Sequence, residues 1–288
     1  MKATISKRVL SVQDLSCFGH TSLLAEIAIM YRMGIQVLAL PSTVLSANTD
    51  FAGYQTLCTG TDLDAVIRQW LDWELGFDAW HSGFLATPEQ ALALAAIIRA
   101  QRDPGQRVLV DPVLGDAGNL YGCYNMEMVA AMRELVKEAD IITPNPTEAA
   151  FLLGEDRGTI SAEGCKSWAK RLAGLGPRHV VITSAPSSRE GMLQNLCYDA
   201  AQDSCTGFAF PIMDGGHPGS GDCFAAFMLA GMINGYSIPV SLKAATLLMS
   251  AGMSLGVPAN RSWREGFALE KLLQMDLERY YREAGTIQ

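Results

Sequence analysis

Six short apolar runs recur along this chain, each ending in a polar cluster, with longer stretches of helical spacing between them. The runs are Arg8–Val12, Gln36–Pro41, Ala79–His81, Arg107–Asp111, Ile141–Thr143 and His179–Thr183. The intervening helical patterns cover Thr21–Met33, Asp62–Leu75, Pro88–Arg99, Met126–Lys137, and Thr147–Leu153 with Ala162–Leu172. Strand followed by helix, repeated this way, predicts an α/β fold with a mostly parallel central sheet and helices on both faces. The runs are nearly continuous in apolar residues, as strands are when both sheet faces are covered. Two adjacent strand-like stretches between Met192 and Phe210 predict an antiparallel edge hairpin. The C-terminal part reads as helix over Gly221–Asn234, Pro239–Leu255 and Leu269–Glu283. No Gly/Ser/Pro linker, low-complexity tract or repeat interrupts the 288 residues. A single domain over residues 1–288 is the simplest organisation.

Composition narrows the function classes. With 49% apolar and 18% charged residues, the chain builds a compact core rather than a disordered or coiled-coil structure. The balance of 22 basic against 30 acidic residues, net −8, argues against a partner such as duplex nucleic acid, whose affinity comes from basic faces. It leaves room for a small anion held by backbone N–H groups. The longest apolar run, Phe224–Ile233, is roughly half of what spans a bilayer, so no membrane association is expected. The N-terminus is basic (Lys2, Lys7, Arg8), but Gln13 and Asp14 interrupt the apolar stretch after it, so no signal peptide is legible. Seven scattered cysteines without a C-x-x-C pair indicate neither a zinc site nor a disulfide framework. A cytoplasmic location with reduced thiols follows.

In open parallel sheets, ligands bind beyond the carboxyl ends of the strands. The polar clusters follow that rule: Gln13-Asp14, Ser42-Thr43, Ser82-Gly83, Asp111-Pro112, Thr143-Pro144-Asn145 and Thr183-Ser184. The sharpest feature is Pro218-Gly219-Ser220-Gly221-Asp222 at the head of an apolar helix. Its glycines let N–H groups turn toward one point, and the helix dipole adds positive potential there. Such an anion hole suits a phosphoryl group in transfer, with Asp222 placed to accept a proton from an attacking hydroxyl. The same residues also read as an ordinary helix start, with Ser220 as N-cap and Asp222 in the first turn. Asp111 and Asp116 lie within one loop, a pairing that suits Mg²⁺ beside phosphate, or else a strand-ending Asp-Pro turn. Asn145, Pro146 and Glu148 make a helix start, and Asn145 and Glu148 could also reach phosphate or metal-bound water. Neither a P-loop nor a Gly-x-Gly-x-x-Gly fingerprint is present. His20, His81, His179 and His217 show no metal-ligand spacing and read as core or surface. Trp70, Trp73 and Trp80 read as core packing.

Taken together, the ordered motifs resemble the ribokinase-like superfamily and, within it, the pyridoxal kinases. The matching pieces are Val9-Leu10-Ser11-Val12-Gln13, Gly19-His20, Val44-Leu45-Ser46-Ala47-Asn48-Thr49, Ser82-Gly83-Phe84, Asp111-Pro112-Val113-Leu114-Gly115-Asp116, Ala139-Asp140-Ile141-Ile142-Thr143-Pro144-Asn145, Glu148, Val180-Val181-Ile182-Thr183-Ser184 and Gly219-Ser220-Gly221-Asp222. The resemblance implies a three-layer α/β/α sandwich, usually a homodimer, that uses ATP to phosphorylate the 5′-hydroxymethyl group of pyridoxal, pyridoxamine or pyridoxine. It implies Asp222 as base and Gly219, Ser220 and Gly221 as the anion hole. Asp111 and Glu148, with Asp116, would organise Mg²⁺ and a monovalent cation, K⁺ by expectation. Asp111, Thr143, Asn145, Glu148, Thr183 and Ser184 would line the ATP site. Asp14, Thr49, Phe84 and Tyr121 would meet the vitamer.

Four positions depart from the family pattern. Asp14 stands where serine is frequent near the ring nitrogen, and a carboxylate there favours a protonated pyridinium. Asn48 replaces a common histidine. Phe84 replaces a common tyrosine, keeping the stacking face but not the hydroxyl. The anion hole reads Gly-Ser-Gly rather than Gly-Thr-Gly. Two other readings remain. A hydroxymethylpyrimidine kinase of thiamine synthesis would phosphorylate a similar ring, although such enzymes often carry cysteine where Asp222 stands. A vitamer- or nucleotide-binding protein without catalysis would need no base.

Overall fold

The apolar runs fold as strands and the 3.6-residue patterns as helices in the computed structural model, which describes residues 6–59, 62–156, 161–213 and 218–285. Lys2 and His217 lie outside the described residues. In chain order the elements are β1 (Lys7–Ser16), α1 (Ser22–Arg32), β2 (Ile35–Leu45), β3 (Thr56–Thr59), α2 (Leu63–Asp72), β4 (Ala79–Ser82), α3 (Pro88–Gln101), β5 (Arg107–Val110), β6 (Gly115–Asp116) and β7 (Asn119–Leu120). They continue with α4 (Met126–Val136), β8 (Ile141–Ile142), α5 (Pro146–Leu153), α6 (Ala162–Ala173), β9 (His179–Pro186), β10 (Met192–Asp199), β11 (Ser204–Pro211), α7 (Ser220–Ile233), α8 (Ile238–Ser254), a 3₁₀ turn (Trp263–Glu265), α9 (Leu269–Leu272) and α10 (Leu277–Gly285). Nine strands make one mostly parallel sheet with antiparallel strands at its edges, while β6 and β7 form a separate hairpin. This is the α/β/α sandwich expected. No described helix is long and apolar enough to cross a membrane.

The chain packs as two compact units, residues 1–81 with 215–288, and residues 82–214. In the first, β2 runs parallel to β1, and the edge strand β3 pairs antiparallel with the end of β2. Residues Val9 through Asp14 are buried without interruption, as required of a strand covered on both faces. Helix α7 is buried from Cys223 to Ile233, so it has no polar face to turn to water. Its Gly231 lets α8 and α10 approach: an added Cβ would come within 2.7 Å of Ser241 Oγ and 2.4 Å of a Tyr281 ring carbon. The Tyr281 hydroxyl donates to the Phe227 carbonyl. In the second unit, β5, β8 and β9 are parallel, β10 pairs antiparallel with β9, and β11 pairs antiparallel with β10, giving the hairpin that Met192–Phe210 predicts.

Several boundaries differ from expectation for physical reasons. Strands β1 and β2 run on through Gln13-Asp14 and Ser42-Thr43 instead of ending before them, with a register shift between Gln13 and Leu15. The polar side chains find partners inside the strands: Ser16 Oγ donates to Asp14 Oδ2 at 2.7 Å, and Thr43 Oγ1 to the Cys58 carbonyl at 2.7 Å. The expected helix Leu269–Glu283 is broken in two, because Asp276 accepts from the Arg279 N–H and starts a new helix, α10. Trp80 packs in the core and Trp70 is half-buried, but Trp73 is 60% exposed. It follows the last turn of α2, whose buried stripe is Leu63 and Ile67, so core packing does not reach it.

Candidate functional site

The first cluster is built where β1, α1 and α7 begin or end. Helix α7 starts at Ser220, with Gly219 as its N-cap at φ 79°, ψ 1°. Ser220 is therefore the first helical residue, not the cap. A side chain at Gly219 would meet two obstacles: the left-handed backbone disfavours any Cβ, and the Cβ would sit 1.9 Å from the His20 carbonyl oxygen. The His20 backbone is itself held, its N–H donating to the Glu265 carbonyl at 3.0 Å. Asp222, in the first turn of α7, accepts the Ser22 N–H on Oδ2 at 2.7 Å. Ser22 opens α1 with φ 49°, and the preceding residue Thr21 makes no side-chain cap. Asp222 thus caps a second helix while lying in the first turn of its own. The sequence offers no local signal for this pairing, since the two residues are 200 apart.

Asp14 is 3% exposed. Burial pushes its carboxyl above the ordinary value of 3.8, and hydrogen bonds from the Ser22 and Ser16 hydroxyls pull it partly back. Folding therefore shifts the carboxyl toward its protonated form. Its contribution is most favourable below the unfolded value of 3.8 and is lost as pH rises toward the folded value. Asp14→Asn should melt higher than the parent at pH 7, with the gap narrowing toward pH 4. A gap independent of pH in calorimetric scans would refute the assignment. Thr49 is exposed on the following loop, which Asn48 ties down by donating from Nδ2 to the Arg264 carbonyl at 2.8 Å.

The second cluster lies at the ends of β5, β8 and β9. Asp111 is buried and accepts from Thr143 Oγ1 at 3.0 Å. Asn145 and Glu148 form a capping box at the head of α5: Glu148 N–H donates to Asn145 Oδ1 at 3.0 Å, and Asn145 N–H to Glu148 Oε2 at 2.8 Å. The helix-start reading is thus correct in detail. Glu148 is 4% exposed and also accepts from the Leu114 N–H at 3.1 Å. Burial, then the nearby Asp111 charge, drives its carboxyl well above the ordinary range. Asn145 Nδ2 donates to the Gly115 carbonyl at 2.8 Å. Gly115 opens the β6–β7 hairpin, where an added Cβ would lie 2.0 Å from the Asn119 carbonyl. Asp116 is exposed on that hairpin and accepts the Ala117 N–H at 2.7 Å. Thr183 N–H donates to the Pro144 carbonyl at 2.9 Å. The exposed Ser184, at φ 49°, donates its N–H to Asn195 Oδ1 at 2.9 Å. Phe84 stacks on Tyr124 with ring centroids 5.2 Å apart, a partner no sequence pattern marks. Tyr121 is 37% exposed and closes the hairpin through its N–H to the Leu114 carbonyl.

No group of three His, Cys, Asp or Glu side chains among the described residues is arranged to hold a metal. Asp111, Asp116 and Glu148 therefore do not form a three-carboxylate cage. Asp111 and Glu148 still fit Mg²⁺, which takes one or two carboxylates and fills its remaining positions with water and phosphate oxygens. Two buried carboxylates that repel one another are what a divalent cation relieves.

The mostly parallel sandwich, with a glycine-led buried helix at one strand end and a capped acidic loop at others, defines a ribokinase-like α/β kinase. The phosphomethylpyrimidine kinase family model matches residues 27–262, and the chain belongs to that family. A Bacteroides thetaiotaomicron protein, provisionally named a phosphomethylpyrimidine kinase and crystallised with pyridoxal, is 34% identical with a TM-score of 0.89, covering 95% of this chain and 96% of its own. The pyridoxal kinase of Lactobacillus plantarum is 29% identical with a TM-score of 0.84, over 93% and 95% of the two chains. Pyridoxal kinase PdxY of Burkholderia thailandensis is 29% identical over 82% of this chain and 84% of its own. Within the family, this chain therefore groups with pyridoxal kinases.

Proposed function

We propose that this protein is an ATP-dependent kinase of vitamin B6, transferring the γ-phosphoryl group to the 5′-hydroxymethyl oxygen of pyridoxal, pyridoxamine or pyridoxine. The observation that carries this reading is Asp222, held by Ser22 N–H on the head of α1 beside the left-handed Gly219. In the proposed step, the substrate oxygen forms its bond to the γ-phosphorus in line with the departing ADP oxygen. Its proton passes to the Asp222 carboxylate. The N–H groups of Gly219, Ser220 and Gly221 face the developing charge on the phosphoryl oxygens. Asp14, Thr49, Phe84 and Tyr121 are the side chains proposed to serve the ring. Thr143, Asn145, Thr183 and Ser184 serve the nucleotide, with Asp111 and Glu148 binding Mg²⁺ and assisting a monovalent cation. Mg²⁺, when bound, neutralises phosphate charge. A cytoplasmic homodimer is the expected form.

The family model keeps a second reading open, a kinase of hydroxymethylpyrimidine. A competition assay separates the two. Equal amounts of pyridoxal, pyridoxamine, pyridoxine and hydroxymethylpyrimidine are mixed with protein, Mg·ATP and K⁺, and the products are followed by mass spectrometry. A B6 phosphate is expected first. Pyrimidine phosphate alone would transfer the assignment to the second reading. No product, together with tight ligand binding, would favour a non-catalytic binding protein.

A further inference from the structure

Ser11, Gln13, Glu26 and His81 are packed together out of solvent behind the end of β1. Ser11 Oγ donates to Glu26 Oε2 at 2.5 Å. Gln13 Nε2 donates to the same carboxylate oxygen and, at 3.0 Å, to Ser11 Oγ. His81 Nδ1 lies 2.9 Å from Glu26 Oε1. Glu26 Oε2 accepts from both the Ser11 hydroxyl and the Gln13 amide nitrogen. Glu26 therefore decides which way the Gln13 amide faces, nitrogen toward the carboxylate and oxygen away. The result is that Gln13 Oε1 is buried with no donor among the described residues. Buried acceptors are rarely left so, because the loss is comparable to that of a hydrogen bond. Turning the amide over would set its oxygen against Glu26, so the mismatch is built in by a neighbour. Gln13 (1% exposed) stands in the C-terminal half of β1, at the register shift between Gln13 and Leu15, toward the strand ends where this sheet type binds ligands. A second buried oxygen without a partner, Thr21 Oγ1, lies at the start of α1. Two buried oxygens at the β1–α1 junction thus lack a hydrogen-bond partner among the described residues.

We propose that Gln13 is a specificity-determining residue, its Oε1 accepting a hydrogen bond from an N–H or O–H group carried on the substrate ring, with Glu26 and His81 as positioning residues that fix its amide. This rests on the kinase reading above. The ligand class is a pyridine or pyrimidine ring bearing a donor beside its hydroxymethyl group.

Gln13→Met keeps the side-chain volume nearly unchanged and removes the acceptor. The expected result is a loss in kcat/KM of roughly 10- to 100-fold for pyridoxine and pyridoxamine, expressed mainly in KM because the bond is made in the ground state. With 4-deoxypyridoxine and 3-deoxypyridoxine as probes, the loss should shrink to about 2-fold on the analogue that lacks the donor, as a double-mutant cycle requires. If Gln13→Met does not fold by thermal melt, Glu26→Gln tests the same point. A neutral amide no longer fixes the orientation of Gln13, so the same analogue dependence should appear at roughly 3- to 10-fold. Equal losses on every ring, or a change in kcat alone, would show a packing role and overturn the proposal while the kinase reading stands. A parent protein that phosphorylates none of these rings would overturn both.

Discussion

Asp222→Asn is expected to lower turnover by about 10²–10⁴-fold, the range a positioned general base contributes, with little change in melting temperature. The asparagine Oδ1 can accept the Ser22 N–H that Asp222 now holds at 2.7 Å, so the head of α1 stays capped. Asp222→Ala removes the base and the cap together. Loss of a cap costs about 1 kcal/mol, which for a chain of this size lowers the melting temperature by roughly 2–4 °C. The two variants should therefore share the loss in turnover and differ in melting. Steady-state kinetics and calorimetry on both decide the point. Near-parental turnover in Asp222→Asn removes the base from the mechanism, and equal melting of the two variants removes the cap.

Gly219→Ala should be damaging on both counts. A left-handed backbone costs a non-glycine residue about 1–2 kcal/mol. At this position the added methyl also runs into the His20 carbonyl at 1.9 Å, a backbone atom that cannot swing aside. The loop must shift, and with it the N–H groups proposed to face the phosphoryl oxygens. Misplacing one such donor costs about 10²–10³-fold in kcat. Gly235→Ala is the matched control. Gly235 is also left-handed, at φ 92°, but a Cβ there meets nothing within 4 Å. It should lose stability on the backbone term alone and keep full turnover. Equal kcat in the two variants would show that the Gly219 loop does not hold the transferred group.

Parts of both clusters were readable because their chemistry is local. Asn145, Pro146 and Glu148 announce a capped helix within four positions, and the structure forms that box. The continuous apolar runs of the strands and the 3.6-residue spacing of the helices placed nearly every main element, because both are local properties of the chain. The failures are non-local. Strands β1 and β2 outrun their apolar cores because Ser16 and Thr43 satisfy polar groups that a local reading treats as strand terminators. Edge strand β3 exists through its pairing with Thr43–Leu45, more than ten residues away. Trp73 looks like core until the orientation of α2 is known.

Strand and helix alternation determined the fold class, and the resemblance carried by the ordered motifs pointed to the kinase family and the residues worth testing. Strand alternation, a glycine-led apolar helix and acidic loops at strand ends are written in the chain, and each follows from backbone geometry and burial. Tertiary structure decided how those residues are held. It set Asp222 on the N–H of Ser22, pressed Gly219 against the His20 carbonyl, moved Asp116 out to an exposed hairpin, and turned the Gln13 amide by means of Glu26. Those outcomes depend on which distant groups share one buried volume. There a carboxylate must find donors wherever the fold supplies them, and no local pattern in the chain encodes that supply.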